Sequence, residues 1–246
     1  EKTENIEQPA LTREQQGLKP VLDKENKPLL IPIPLIDHTM YVRVWMWPNK
    51  GVPVYLLDTD VPENTPEDKI IGYTLYDANK ETRLKQEMVL GIGGFRLLEK
   101  LNIQPSIYHM NEGHSALLML EIIRHEMQKR KIAFHEAVKL ATHHVVFTNH
   151  TLLAAGNEIY NHDLFSLVIE TYAGELQVPV SDILALGTVA ESKTFSLSRT
   201  RGVSSIHSSP SWRITVCRSL LFPIMIMILA ILKPFLLAGC QKTHDR

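Results

Sequence analysis

Two short apolar runs, each opening into a polar loop that carries a histidine, constrain this chain more than any other feature. SIYHMNEGH covers Ser106 to His114, VVFTNHT covers Val145 to Thr151, and about 30 residues of helical pattern lie between the two histidine-bearing words. That layout predicts a strand, a crossover helix and a second, parallel strand, because parallel neighbours need a long connection, usually helical. A right-handed crossover brings both loops to the same edge of the sheet. Open α/β folds bind ligands at the carboxyl edge of parallel strands. Asn111, Glu112, His114, Asn149 and His150 are therefore expected to converge on one site although they are distant in sequence.

The chain has 246 residues, 44% of them hydrophobic, so one large domain or two small ones can bury a substantial core. A formal net charge of −1 gives no global field to steer it toward nucleic acid or an anionic membrane. Cys217 and Cys240 are the two cysteines, which argues against a disulfide framework and for a reducing, cytoplasmic setting. The opening EKTENIEQPALTREQQ is polar and mixed in charge, unlike a secretory signal peptide. It also begins without Met, and the chain is expected to be cut from something longer.

Residues 1–28 read as a solvated lead-in without a sustained apolar period. LLIPIPLI follows, and then Tyr41 to Trp47 and Val52 to Leu57, whose alternation and β-branched or aromatic content predict two strands joined by a PNKG turn. NKETRLKQEMVL carries opposite charges at helical spacing, with Leu84, Met88 and Val89 returning on one face. Gly91, Gly93 and Gly94 interrupt this pattern before FRLLEKL resumes. Asn111 is expected to N-cap the helix through ALLMLEIIRHEMQKR. Further helices are expected near 133–142, 163–174 and 181–187. After residue 207 the character changes, and 208–246 form an apolar tail containing Pro223, Lys233 and Pro234. Residues 220–239 approach the length of a membrane span, but a charge and two prolines break them. A buried helix or the product of a shifted reading frame are the alternatives to an anchor.

The eleven histidines invite a metal site, but the motifs fail. His125-Glu126 and His135-Glu136 each begin an HExxH pattern, and Lys129 and Lys139 stand where the second ligand belongs. Gly91-Ile92-Gly93-Gly94 lacks the preceding strand of a dinucleotide loop, and Arg96 replaces its last glycine. Its simpler reading is a break that lets backbones approach closely. His143 and His144 end a helix, where a cation suits the dipole. No GxSxG nucleophile elbow occurs. What remains at the strand ends is Asn, Glu and His, a set suited to hydrogen-bonding a neutral, hydroxyl-rich ligand.

The words RLKQEMVLGIGGFRLLEKLNIQPSIYHMNEGHSALLMLEIIR and VVFTNHTLLAAGNEIY closely resemble the α-glucan phosphorylases, particularly their shorter prokaryotic-type form. VPVYLLDTDVPENTPED and TRGVSSIH fit the same pattern, and the resemblance spans about residues 18–207. It implies an α/β fold: a Rossmann-like parallel sheet with flanking helices, in the N-terminal half of a two-domain retaining glycosyltransferase. It implies phosphorolysis of an α-1,4-glucan by inorganic phosphate to glucose 1-phosphate, with pyridoxal phosphate as cofactor and a homo-oligomer as one assembly state. The histidine of the TNHT word, here His150, would hydrogen-bond the glucosyl unit and help stabilise an oxocarbenium-like transition state. Asn149 and Thr151 beside it, and Asn111, Glu112 and His114 of the NEGH word, would line the same subsite. Residues 29–207 then form part of an N-terminal phosphorylase domain. The second domain, with the lysine that bears the cofactor, has no counterpart in this sequence. The chain alone is therefore expected to be inactive, and the alternative is a non-catalytic carbohydrate-binding or regulatory remnant. LLAAGNEIY after TNHT departs from the family's more usual proline-containing continuation.

Overall fold

The computed structural model describes residues 12–48, 52–74, 77–148, 159–188, 194–196 and 229–231. Its first layer is a mixed sheet built on a long central strand. β2 (Leu30–Pro34), β3 (Thr39–Trp47) and β4 (Val54–Asp58) run antiparallel in succession. β1 (Lys19–Pro20) shares with β2 the same edge of β3, pairing Lys19 with Met46. The lead-in is thus partly folded: Leu18 is buried and packs with Trp45 on the face of β3 turned away from the main core.

β3 earns its central place by alternation. Met40, Val42 and Val44 are fully buried on one face, as period-two patterning requires of a half-covered antiparallel sheet. LLIPIPLI also forms a strand, despite its two internal prolines. β2 is an edge strand, where a missing N–H costs least, and its Pro32 carbonyl accepts a bond from Arg96 Nη1 at 2.8 Å.

Helical segments cover this sheet. After α1 (Pro66–Lys69), α2 (Lys80–Met88) starts where the Asn79 side chain accepts from the backbone N–H groups of Glu81 and Thr82. The glycines that follow do not break the helix. Val89–Gly93 form a π-helical turn that runs directly into α3 (Gly94–Lys100). Close approach is nonetheless what Gly91 provides: a Cβ there would lie 2.6 Å from the backbone nitrogen of Leu118. The charged residues of RLKQE are not on a solvated face either. Arg83, Gln86 and Glu87 are buried together with Leu84 and Met88, while Glu81 and Lys85 alone make the surface pair at 2.9 Å.

The strand–helix–strand unit is present as its pattern predicts. β5 (Tyr108–Asn111) leads through α4 (Leu118–Arg130) and α5 (Phe134–Ala141) to β6 (Val145–Thr148), and the two strands pair in parallel. β7 (Ile159–Asn161), α6 (His162–Leu176), α7 (Val180–Gly187) and β8 (Thr194–Ser196) follow, with β7 and β8 antiparallel. β9 (Leu229–Ile231) lies parallel to β4, so this part of the tail is strand. The remainder of 208–246 lies outside the described residues, and among those no helix is long and apolar enough to cross a membrane. The fold is α/β, with a parallel strand pair flanked by helices, whereas its largest sheet is mainly antiparallel. One core joins the two parts, running from Ile31, Ile33 and Met40 to Leu84, Ile92, Phe165 and Tyr172.

Arg96 pins this assembly. Its Nε donates to Glu121 Oε1 at 2.8 Å and its Nη2 to Glu175 Oε2 at 2.5 Å, which ties α3 to α4 and α6. Glu121 is fully buried and takes a second bond from Arg124 Nε at 2.6 Å. A buried carboxylate is tolerable only when paired and hydrogen-bonded, and here two guanidinium groups share it.

Candidate functional site

The carboxyl end of β5 carries the first predicted loop. Asn111 is its last residue, exposed, and in register with Thr148 of β6. Asn111 does not cap the following helix, contrary to its expected role. The chain turns instead through a 3₁₀ segment, Gly113–Ser115, and α4 begins only after Leu117, without a side-chain cap. The turn itself is made by Glu112, whose φ of 58° and ψ of −169° fall in a region essentially reserved for glycine. Its N–H donates to the Thr148 carbonyl at 2.8 Å, so the strained residue is clamped to the end of β6. Its side chain is buried at 8% exposure.

His114 lies on the 3₁₀ turn, half-buried, with Nδ1 2.5 Å from Arg83 Nη2. A guanidinium can only donate, so Nδ1 is the acceptor and the ring proton sits on Nε2. Arg83 is held in turn by Glu87, with Nε 3.4 Å from Oε1. The other oxygen of Glu87 accepts from the Tyr160 hydroxyl at 2.9 Å, and both Glu87 and Tyr160 are at most 1% exposed. Lys80 Nζ stands 5.4 Å above the Tyr160 ring. A continuous polar chain therefore links the NEGH turn, through α2, to β7. Gln86, on the same face of α2, donates to the carbonyls of Ile71 and Thr74 at 2.8 and 2.6 Å. This holds the 71–74 segment against the helix.

Asn149, His150 and Thr151 lie outside the described residues, which end on that side at Thr148 and resume at Ile159. The structure thus brings Asn111, Glu112 and His114 together and places Thr148, the residue before Asn149, beside Asn111. On β5 itself, His109 Nε2 lies 2.6 Å from the Thr148 hydroxyl, a second cross-strand tie at this end. Arg83, Glu87 and Tyr160 were not singled out by sequence reasoning. Their signal was the spacing of Arg83, Gln86 and Glu87 at i, i+3 and i+4, which sets all three on one helix face. Among the described residues no group of three or more His, Cys, Asp or Glu could hold a metal ion. None of the buried residues is a lysine either, so the described part offers no desolvated amine for a Schiff base with pyridoxal phosphate.

Polar, hydrogen-bonding groups gather at the carboxyl ends of the parallel strands, where open α/β folds bind their ligands. Residues 83–174 match the family model described as carbohydrate phosphorylase. The maltodextrin phosphorylase of Thermococcus litoralis is 36% identical over 217 residues, which cover 83% of this chain and 25% of that protein. The glycogen phosphorylase of Mycobacterium tuberculosis is 30% identical over 224 residues, covering 82% of this chain and 26% of its own. That of Aquifex aeolicus is 34% identical over 183 residues, covering 73% and 26% respectively. The chain belongs to the α-glucan phosphorylase family, and it spans about a quarter of the length of the curated relatives it matches.

Proposed function

We propose that this chain carries the glucosyl-binding side of an α-1,4-glucan phosphorylase site, and that the parent activity is transfer of a terminal glucosyl unit to inorganic phosphate. One observation supports this most: the parallel register of Asn111 with Thr148, reinforced by the bond from Glu112 N–H to the Thr148 carbonyl. That register puts the starting point of the TNHT word at the same sheet edge as the NEGH turn. In this reading Asn111, Glu112, His114, Asn149, His150 and Thr151 share the hydroxyls of one sugar.

The division of labour follows from donor and acceptor chemistry. With Nδ1 accepting from Arg83, the proton of His114 rides on Nε2, the nitrogen that serves a ligand oxygen as donor. The guanidinium behind the ring polarises it and strengthens that donor. Glu112 supplies a carboxylate acceptor, and its backbone is fixed before any ligand arrives, so orientation is not acquired at the moment of binding. His150 would donate to the sugar and favour the developing charge of an oxocarbenium-like transition state. These groups bind and orient; none of them is a nucleophile.

Pyridoxal phosphate, when bound in the relatives' full-length form, would supply a phosphate for proton exchange with the substrate phosphate. The described residues do not fit that group, since no lysine among them is buried. The 246-residue chain is expected to bind glucan without turning it over. Incubating the purified chain with maltodextrin, phosphate and added pyridoxal phosphate should release no glucose 1-phosphate, and phosphate-dependent release would overturn this. In a parallel titration, maltooligosaccharide binding at the strand ends should fall about tenfold in His150→Ala, the loss of one well-formed hydrogen bond.

A further inference from the structure

The buried face of α2 carries more polar chemistry than packing requires. Arg83, Gln86 and Glu87 all lie in the interior, and Arg83 pairs with Glu87 along one helix face at i, i+4. A buried ion pair is an inefficient fastening, since apolar residues of similar volume hold two elements at least as well. What apolar residues cannot do is fix the position of a proton. One end of this chain of contacts is an imidazole, where Arg83 Nη2 reaches His114 Nδ1 at 2.5 Å. The other end is a phenol, where the Tyr160 hydroxyl donates to Glu87 Oε2 at 2.9 Å.

The direction of the chain is forced by its members. A guanidinium only donates and a carboxylate only accepts. Tyr160 therefore donates to Glu87, Glu87 faces Arg83 with its other oxygen, and Arg83 donates to the ring of His114. Lys80 Nζ, 5.4 Å above the Tyr160 ring, places a cation on the π-face and makes the phenol a better donor. Tyr160 stands in β7 directly before α6, which opens at His162 with Asn161 as its cap. The contacts thus run from the entry of α6, across α2, to the half-buried histidine of the NEGH turn.

We propose that Arg83, Glu87 and Tyr160 are positioning residues of the strand-end sugar site: the Tyr160 hydroxyl, acting through Glu87 and Arg83, keeps His114 as an Nε2–H donor. The part of this that concerns a sugar rests on the glucan-binding reading, whereas the state of the imidazole does not. Without the hydroxyl, Glu87 Oε2 loses a buried donor, and the carboxylate turns to recover one. Arg83 follows Glu87 and leaves the line of the ring. His114 then populates both neutral tautomers, as an imidazole with no fixed partner does.

Tyr160→Phe removes one oxygen and keeps the ring, so it isolates this effect. Side-chain nitrogen shifts of His114 are read at about pH 8, where an ordinary imidazole is neutral. They should show a single Nε2–H form in the parent chain and a mixture in the variant. Arg83→Lys keeps a cation beside Glu87 but loses the fork that also reaches His114, and should give the same mixture. Maltooligosaccharide affinity should fall about fivefold in Tyr160→Phe, and should not fall further when the same change is made in a His114→Ala background. An equal loss in both backgrounds makes Tyr160 a brace of the fold alone and overturns the proposal. So does a mixture already present in the parent, or a ring indifferent to both variants. Should the parent chain bind no maltooligosaccharide, the glucan reading fails, and the ring nitrogens alone then support or overturn the relay.

Discussion

Glu112 concentrates the logic of the strand-end site in one residue. Its backbone occupies a region that costs a non-glycine residue about 1–3 kcal/mol, and it is held there by β6. Glu112→Gly removes that strain at the expense of about 0.5–1 kcal/mol of extra chain entropy. The variant is expected to unfold in denaturant at the same or a higher midpoint, while its maltooligosaccharide affinity falls. A clearly lower midpoint would show that the backbone at 112 carries no strain. The residue types at this site were legible beforehand, since Asn111, Glu112 and His114 stand in a recognisable word. The supports behind them were not. Whether Arg83 and Glu87 face water or a core depends on Tyr160, more than 70 positions away, and local spacing contains no information about so distant a partner.

Among the elements, the parallel unit was the most readable and the α2–α3 junction the least. β5 and β6 announced themselves because apolar runs bounded by polar loops and separated by a helix permit few topologies. β2 is hard to read from sequence because prolines usually speak against strand, and its place at a sheet edge is a tertiary fact. The glycines of the junction suggested a stop, yet the helix continues through them, since what they provide is room for the start of α4. Gly91→Ala places a methyl 2.6 Å from the Leu118 nitrogen and 2.9 Å from the Leu117 carbonyl carbon. Backbone atoms cannot step aside as a flexible side chain would, so the variant is expected to lose about 1–3 kcal/mol. Equilibrium denaturation measures it, and a loss under about 0.5 kcal/mol would mean that the π-helical turn and the start of α4 are not in fixed contact.

At the scale of the whole molecule, the antiparallel sheet is fastened to α1 by a titratable clasp. His38, in the turn between β2 and β3, has Nε2 2.5 Å from Asp68 Oδ2 and Nδ1 2.6 Å from Asp37 Oδ1. Asp68, buried in α1, and Asp37 together raise the imidazole above its ordinary 6.5, Asp68 contributing most. A group whose folded value is raised stabilises the fold fully below its unfolded value and loses that contribution as pH rises through the folded one. The thermal midpoint is therefore expected to fall as pH climbs above about 6.5 and through the raised value, and His38→Gln should flatten that slope. An unchanged slope in the variant would place the pH dependence elsewhere. The bonds to Asp37 also hold that carboxyl below its usual range, so its own contribution fades only in acid. None of this was visible in the sequence, where Asp37-His38 and Asp68 lie 30 positions apart in unremarkable loops.

The π-helical turn at Val89–Gly93 has one more consequence, for the direction in which everything after it faces. Such a turn holds one residue more than regular winding would, and each residue of an α-helix advances the side chains by about 100°. Excising a single position there would restore uniform winding and swing α3 by roughly that angle about its own axis. Arg96 would then point away from Glu121, Glu175 and the Pro32 carbonyl at once. One surplus residue thus sets the compass bearing of the guanidinium on which three neighbouring elements are moored.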